Sequence, residues 1–272
     1  MAGTALRGRL SASPAVAPRK TLSWQIASVT AVTVETASVR TIALEPPDWP
    51  GHRAGQHLDV RLTAEDGYRA ERSYSIATSP GEAPAITVER LDDGEVSPYL
   101  TEELRAGDQL EVRGPIGGYF VWDSGASEDQ PLLLVAGGSG IVPLRSILRH
   151  RARSASTVPV RLLYSAKALD EVIYLAELGE QGEGVDVRYT LTRRQPPGWT
   201  GFARRVDDAL LGQVAWPVMN EPLAFVCGPT PFVETVAAGL VTLGYPAARV
   251  KTERFGGVGR GGDVGPGEAG GR

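Results

Sequence analysis

From Gln25 to about Trp122, apolar and polar positions alternate in short bursts: IASVTAVTVE, VRTIALEP, HLDVRLTA, RSYSIAT, AITVER and DQLEVRGP. Each burst is rich in β-branched residues, and EDG, SPGEAP and LDDGE punctuate them, as expected of strands joined by turns. Six such segments at this spacing predict an antiparallel Greek-key β-barrel. One helix is expected inside it, at SPYLTEEL, where Ser97 can cap and Pro98 suits the first helical position.

The pattern changes near Gln130. PLLLVAGG is a continuous apolar run, which needs cover on both faces, as in a parallel sheet. IVPLRSILRHRAR then reads as a helix, VPVRLLYSA as a strand and LDEVIYLAELGEQ as a helix. VDVRYTLTR (strand), FARRVDDALLG (helix), PLAFVCG (strand), PFVETVAAGLVTLG (helix) and VKTERF (strand) continue the alternation. This order predicts a doubly wound parallel-sheet domain. The expected division is a β domain over residues 21–125 and an α/β domain over 126–256, joined near WDSGASEDQ. Residues 1–20 and the glycine-rich 257–272 carry too little apolar surface to offset ordering entropy, and both are expected to be flexible.

Composition narrows the function. The net charge is −4, whereas a nucleic-acid footprint is normally basic. No run approaches the ~18 apolar residues of a membrane span. The N-terminus lacks the apolar core of a secretory signal, so the expected location is cytoplasmic. Cys227 is the sole cysteine, so it cannot form an internal disulfide or hold an iron–sulfur cluster, which takes about four ligands. His52, His57 and His150 show no metal spacing, and no protein-bound metal is expected.

The chemistry-bearing residues lie at strand ends. Gly137, Gly138 and Gly140 form a turn between a strand and a helix, which lets backbone N–H groups approach a phosphate. Pro143 stands where the dinucleotide fingerprint has its third glycine. Glycine in such a turn also relieves sterics without any ligand. The next strand ends in Ser165, Ala166 and Lys167, where a site preferring NAD carries Asp or Glu. One strand later come Thr192 and Arg193. Hydroxyls and cations suit a 2′-phosphate, and a solvated charged loop is the competing reading. Cys227, Gly228 and Pro229 end another strand, at the edge where such sheets bind ligands; a buried cysteine is the plainer alternative. In the β domain, Arg72 can pair with phosphate, Tyr74 can stack on a flat ring and Ser75 can donate a hydrogen bond. Gly94, Val96 and Ser97 stand at the start of the one helix expected there, a second phosphate position.

With RSYS, GEVS, GPIGGYF, AGGSGIVP, VCGP and TERFG in this order, the chain resembles the ferredoxin–NADP reductase superfamily over roughly residues 22–256. The resemblance implies an FAD-binding barrel followed by an NAD(P)-binding domain. It implies that Arg72 meets the FAD pyrophosphate, that Tyr74 stacks on the isoalloxazine and that Ser73 completes the motif, with Ser75 near flavin N5. Val88 would contact the flavin through its backbone, and Gly94 to Ser97 would hold the pyrophosphate. AGGSGIVP would hold the pyridine-nucleotide pyrophosphate, with Cys227 beside the nicotinamide and Thr192 and Arg193 at the 2′-phosphate. Glu253 and Phe255 resemble the family's terminal acid-x-aromatic, whose ring covers the flavin; here Phe stands for the commoner Tyr, the chain runs on to Arg272, and a core phenylalanine is the competing reading.

The function so implied is hydride transfer from NAD(P)H, with NADPH favoured, to bound FAD, followed by single electrons to a separate ferredoxin, haem or molybdenum protein. Ser75, Cys227 and Glu253 are the catalytic candidates. Many relatives carry a fused iron–sulfur domain, for which this chain has no ligand set. Two other readings stand beside this one: a reductase using diffusible flavin as substrate, and a non-catalytic flavin or nucleotide sensor.

Overall fold

A computed structural model describes residues 22–125 and 130–255. Both ends expected to be flexible, Gly256 of the TERFG motif and the middle of the joining segment lie outside these residues.

The alternating bursts form β1 (Gln25–Thr36), β2 (Val39–Glu45), β3 (His57–Thr63), β4 (Arg69–Ser75), β5 (Ala85–Glu89) and β6 (Gln109–Ile116). They pair antiparallel in the order β4-β3-β6-β1-β2-β5. An Ile76–Ile86 bridge joins the two outer strands and curls the sheet into a barrel. Ile42, Leu44, Leu58, Val60, Ile86 and Val88 fill its interior, as alternation along each strand requires. SPYLTEEL is shorter than expected: one wide helical turn at Tyr99–Glu103, whose Leu100 plugs the barrel. Ser97 does not cap it. Its Oγ instead accepts the Leu91 N–H at 3.0 Å, which winds the preceding loop back on itself.

The second domain holds β7 (Leu132–Gly137), α1 (Ile141–Arg153), β8 (Val160–Ala166), α2 (Leu175–Gly179), β9 (Val185–Leu191), α3 (Asp208–Val214), β10 (Leu223–Pro229), α4 (Thr230–Thr242) and β11 (Val250–Phe255). Its sheet is parallel, in the order β11-β10-β7-β8-β9. β7 is buried along its whole length: one face packs with α1 and the other with α3 and α4. The strand order reverses between β7 and β10, where ligand crevices form in such sheets.

Two expected helices are shorter than their patterns. LDEVIYLAELGEQ breaks at Tyr174, which has a left-handed backbone (φ 62°). Val172, Ile173 and Tyr174 are all buried, and three consecutive inward residues do not fit one helical face. FARRVDDALLG becomes helical only at Asp208, because Asp207 Oδ1 accepts the Leu210 N–H at 2.9 Å and caps the helix there. Phe202 instead lies alongside Thr190, on the free edge of β9.

The α1 side of the sheet also packs against the barrel. Phe120 meets Phe225 edge to face, with centroids 5.2 Å apart. Across the same junction, Ser146 Oγ donates to the Thr78 carbonyl (2.6 Å), Lys251 Nζ to the Val121 carbonyl (2.9 Å) and Tyr174 Oη to Thr87 Oγ1.

Gly140 marks the tightest approach at the reversal: a Cβ there would collide with the Cys227 carbonyl, a backbone group that cannot swing aside. Gly140→Ala is therefore expected to destabilise the protein by about 2–3 kcal/mol, in the range of overpacked sites, measured by denaturant unfolding without added nucleotide.

Candidate functional site

A cavity of about 590 Å³ opens between the domains, within the range of small-molecule sites. Its barrel wall is the end of β4 (Arg72, Ser73, Tyr74 and Ser75), Thr87 and Glu89 of β5, and the loop Leu91–Ser97. The other wall is built from Gly137 and Gly138, the ends of β8 (Ser165, Lys167) and β9 (Thr192), and Pro229, Phe232 and Phe255. Motifs far apart in the chain thus face one space.

The remaining sequence candidates lie outside this lining. Val88 points into the barrel core, completely buried, and its neighbours Thr87 and Glu89 face the cavity instead, because side chains alternate along a strand. Gly140 and Pro143 lie beneath the turn; Gly140 supplies close packing and Pro143 is buried at the start of α1. Gly228 packs under the Phe232 ring, which an added Cβ would meet at 2.7 Å. Cys227 is 2% exposed and belongs to the sheet core. Burial first, and the nearby Glu253 charge second, push its thiol well up. Arg193 is exposed beyond the lining, held by its own N–H to the Lys167 carbonyl at 2.9 Å.

Two of the catalytic candidates meet. Ser75 Oγ donates to Glu253 Oε1 at 3.4 Å, across the junction between domains. Glu253 is the strand partner of Cys227, so the three catalytic candidates form one cluster. Its other oxygen, Oε2, is buried with no hydrogen-bond partner among the described residues. Burial pushes the carboxyl up to about 7, and the Ser75 contact opposes this only partly.

The cations at the cavity are paired. Arg72 bonds Glu95 at 2.7 Å, Lys167 lies 3.7 Å from Glu171, and Arg194, beside Arg193, is held by Asp170 at 2.6 Å. Among the described residues, Arg193 makes no ion pair. Glu89, Glu95 and Phe232 also line the cavity, and although each lies inside or beside a quoted motif, none carries a sequence signal of its own. Nothing local distinguishes a side chain that turns toward another domain.

Among the described residues no group of His, Cys, Asp and Glu is placed to hold a metal, and no helix is long and apolar enough to cross a membrane. The oxidoreductase FAD-binding domain model matches residues 24–121, and the oxidoreductase NAD-binding domain model matches residues 134–238. The NADH oxidoreductase HCR of Escherichia coli (strain K12) is 31% identical over 88% of this chain and 70% of its own length. The chain belongs to the ferredoxin–NADP reductase superfamily. The ferredoxin reductase component of 3-ketosteroid-9-alpha-monooxygenase from Rhodococcus rhodochrous is 35% identical over 85% of this chain. The chain spans 64% of that relative's length, less than two thirds. The FAD/NAD-binding domain of nitric oxide dioxygenase from Vibrio cholerae shares the fold, with a TM-score of 0.76 at 24% identity over 86% of this chain and 99% of that one. The barrel is thus an FAD-binding domain and the α/β unit an NAD-binding domain, and the cavity between them has the features both cofactors need: cations and a glycine turn for phosphate, and aromatic rings for flat heterocycles.

The raised Glu253 carboxyl makes stability depend on pH. Between about 4.5 and 7 the folded protein keeps a proton that the unfolded chain has lost, so stability falls as pH rises through that window. Glu253→Gln is expected to stabilise the flavin-free protein by roughly 2 kcal/mol at pH 8 and by almost nothing at pH 4, measured by urea unfolding at both pH values.

Proposed function

We propose that the chain is a flavoprotein reductase that takes hydride from NAD(P)H onto bound FAD and passes electrons singly to a separate redox protein. The observation that carries this reading is the shared cavity: one wall belongs to the FAD-binding domain and the other to the NAD-binding domain. FAD, when bound, supplies the exchange between a two-electron hydride and single electrons.

The chain's own residues supply position and charge. Arg72 presents a guanidinium to the flavin pyrophosphate, and Gly94 to Ser97 bring the backbone of a tight loop to the same region. Tyr74 offers its ring; burial pushes its hydroxyl up to about 12, so it stays neutral at working pH. Ser75 places a hydroxyl at the wall that faces the second domain. Glu253, poised near neutrality, can hold or release a proton beside that hydroxyl, in the range suited to general acid–base work. Gly137 and Gly138 open the turn at the strand reversal for the nicotinamide nucleotide's phosphates. Cys227, beneath that turn, shapes the floor through its backbone, and Phe255 closes the far side of the cavity.

The donor reading rests on charge. Lys167 and Arg194 are neutralised by Glu171 and Asp170, so a 2′-phosphate would find Arg193 together with the Ser165 and Thr192 hydroxyls. The acceptor reading rests on likeness: the Rhodococcus relative is described as a ferredoxin reductase component of a monooxygenase. That likeness supports a separate acceptor protein, and among the ferredoxin, haem and molybdenum proteins expected it favours a ferredoxin.

The purified protein is expected to show a bound-flavin spectrum that bleaches anaerobically with NADPH and more slowly with NADH. A colourless protein that binds no added FAD would overturn the reading; one that reduces excess flavin without retaining it would make flavin a substrate. Arg193→Ala is expected to lower kcat/KM for NADPH about tenfold, the scale of one exposed charge-assisted hydrogen bond, and to leave NADH unchanged. Equal effects on both donors would remove Arg193 from the 2′-phosphate site.

A further inference from the structure

The guanidinium assigned to the flavin pyrophosphate already holds an anion. Arg72 Nη2 donates to Glu95 Oε2 at 2.7 Å, and the other carboxylate oxygen, Oε1, accepts from Tyr68 Oη at 3.0 Å. Both carboxylate oxygens of Glu95 are therefore engaged, and both Arg72 and Glu95 line the cavity. The loop bearing Glu95 has little freedom to withdraw. Its turn is closed by Gly94 N–H to the Leu91 carbonyl (2.9 Å) and by Leu91 N–H to Ser97 Oγ (3.0 Å). A Cβ on Gly94 would meet Ser97 Oγ at 2.7 Å, so the winding is tight.

A carboxylate and a pyrophosphate recognise a guanidinium through the same charge-assisted geometry. When one Arg faces both, they compete for its donors and repel each other. Arg72 Nη1 also donates to the Glu71 carbonyl at 2.7 Å, so two of the five guanidinium N–H donors are already engaged.

We propose that Glu95 is an internal competitor for Arg72 that lowers affinity for phosphate-bearing flavins and so keeps FAD exchangeable. This rests on the reading of Arg72 as a pyrophosphate contact. The pair is about half exposed on both sides, so the competition is one of moderate Coulomb terms, sensitive to ionic strength. Riboflavin, which carries no phosphate, does not enter that competition.

The test is equilibrium binding of FAD and of riboflavin to flavin-free full-length protein, followed by fluorescence at low and high salt. Glu95→Gln keeps the side chain's shape and removes its charge. It is expected to tighten FAD about fivefold at low salt, less at 0.5 M salt where the Debye length is only a few ångströms, and to leave riboflavin unchanged. Arg72→Gln separates the two ideas, because it weakens FAD if Arg72 is a pyrophosphate contact. If Arg72→Gln weakens FAD while Glu95→Gln does not tighten it, or tightens riboflavin equally, the competitor role is wrong and the Arg72 reading stands. If Arg72→Gln leaves FAD affinity unchanged, the Arg72 reading fails and the competitor role fails with it.

Discussion

A cavity with one wall in each domain exists only while the domains keep a fixed orientation, and that orientation is held by a shared apolar core. Phe120 and Trp122 leave the barrel and pack with Leu134, Ala136 and Phe225 of the parallel sheet and with Ile147 of α1. Burial of this kind is non-directional, so register comes from the polar contacts at its rim. Ser146 to Thr78, Lys251 to Val121 and Tyr174 to Thr87 each tie a side chain of the α/β domain to the barrel. Interfaces between domains are otherwise modest and permit motion; here the hydrophobic core runs through the junction without interruption.

That packing sets the electrostatics of the site. Where solvent reaches, charges meet in exposed pairs, such as Arg72 with Glu95 and Arg194 with Asp170, and such pairs are individually weak and exchangeable. At the junction the balance differs. Glu253 is brought against the barrel by β11, has its Oε2 shielded from water and, among the described residues, accepts only the long Ser75 hydrogen bond in return. Desolvation outweighs that bond, which is why its carboxyl sits near neutrality. The same sheet edge buries the Cys227 thiol, leaving it a packing group. One scaffold thus yields soft, replaceable charges at the rim of the cavity and one poised acid in its interior.

The strongly periodic segments were legible in the chain. β7 reads as a buried strand because all its residues are apolar, and α1 follows its pattern from Ile141 to Arg153. Where the pattern misled, a tertiary contact had overruled it. Tyr174 leaves the helix to set its hydroxyl on Thr87 and its ring under Arg145, 4.0 Å away. Ser97 gives its oxygen to Leu91 and caps nothing. Asp207 cuts the next helix short from its own side chain, a local signal that the preceding apolar and basic residues masked. For the site, RSYS and the glycine turn were visible because their residue types are unusual at strand ends, and both line the cavity. Glu89, Glu95 and Phe232 were not, because a glutamate or phenylalanine beside a motif has no distinctive local pattern.

Alternation, apolar runs and turn residues determine which segments become strands and helices, since these depend on neighbours a few residues away. They therefore settled the two domain types and their order. Which side chains share one space, and which charges are already neutralised, depended on contacts across 23 residues for Arg72 and Glu95 and across 178 for Ser75 and Glu253. No local period encodes such distances. Only the packing of barrel on sheet brought those groups within reach, and so decided that Arg72 meets a carboxylate and that Glu253 is poised near neutrality.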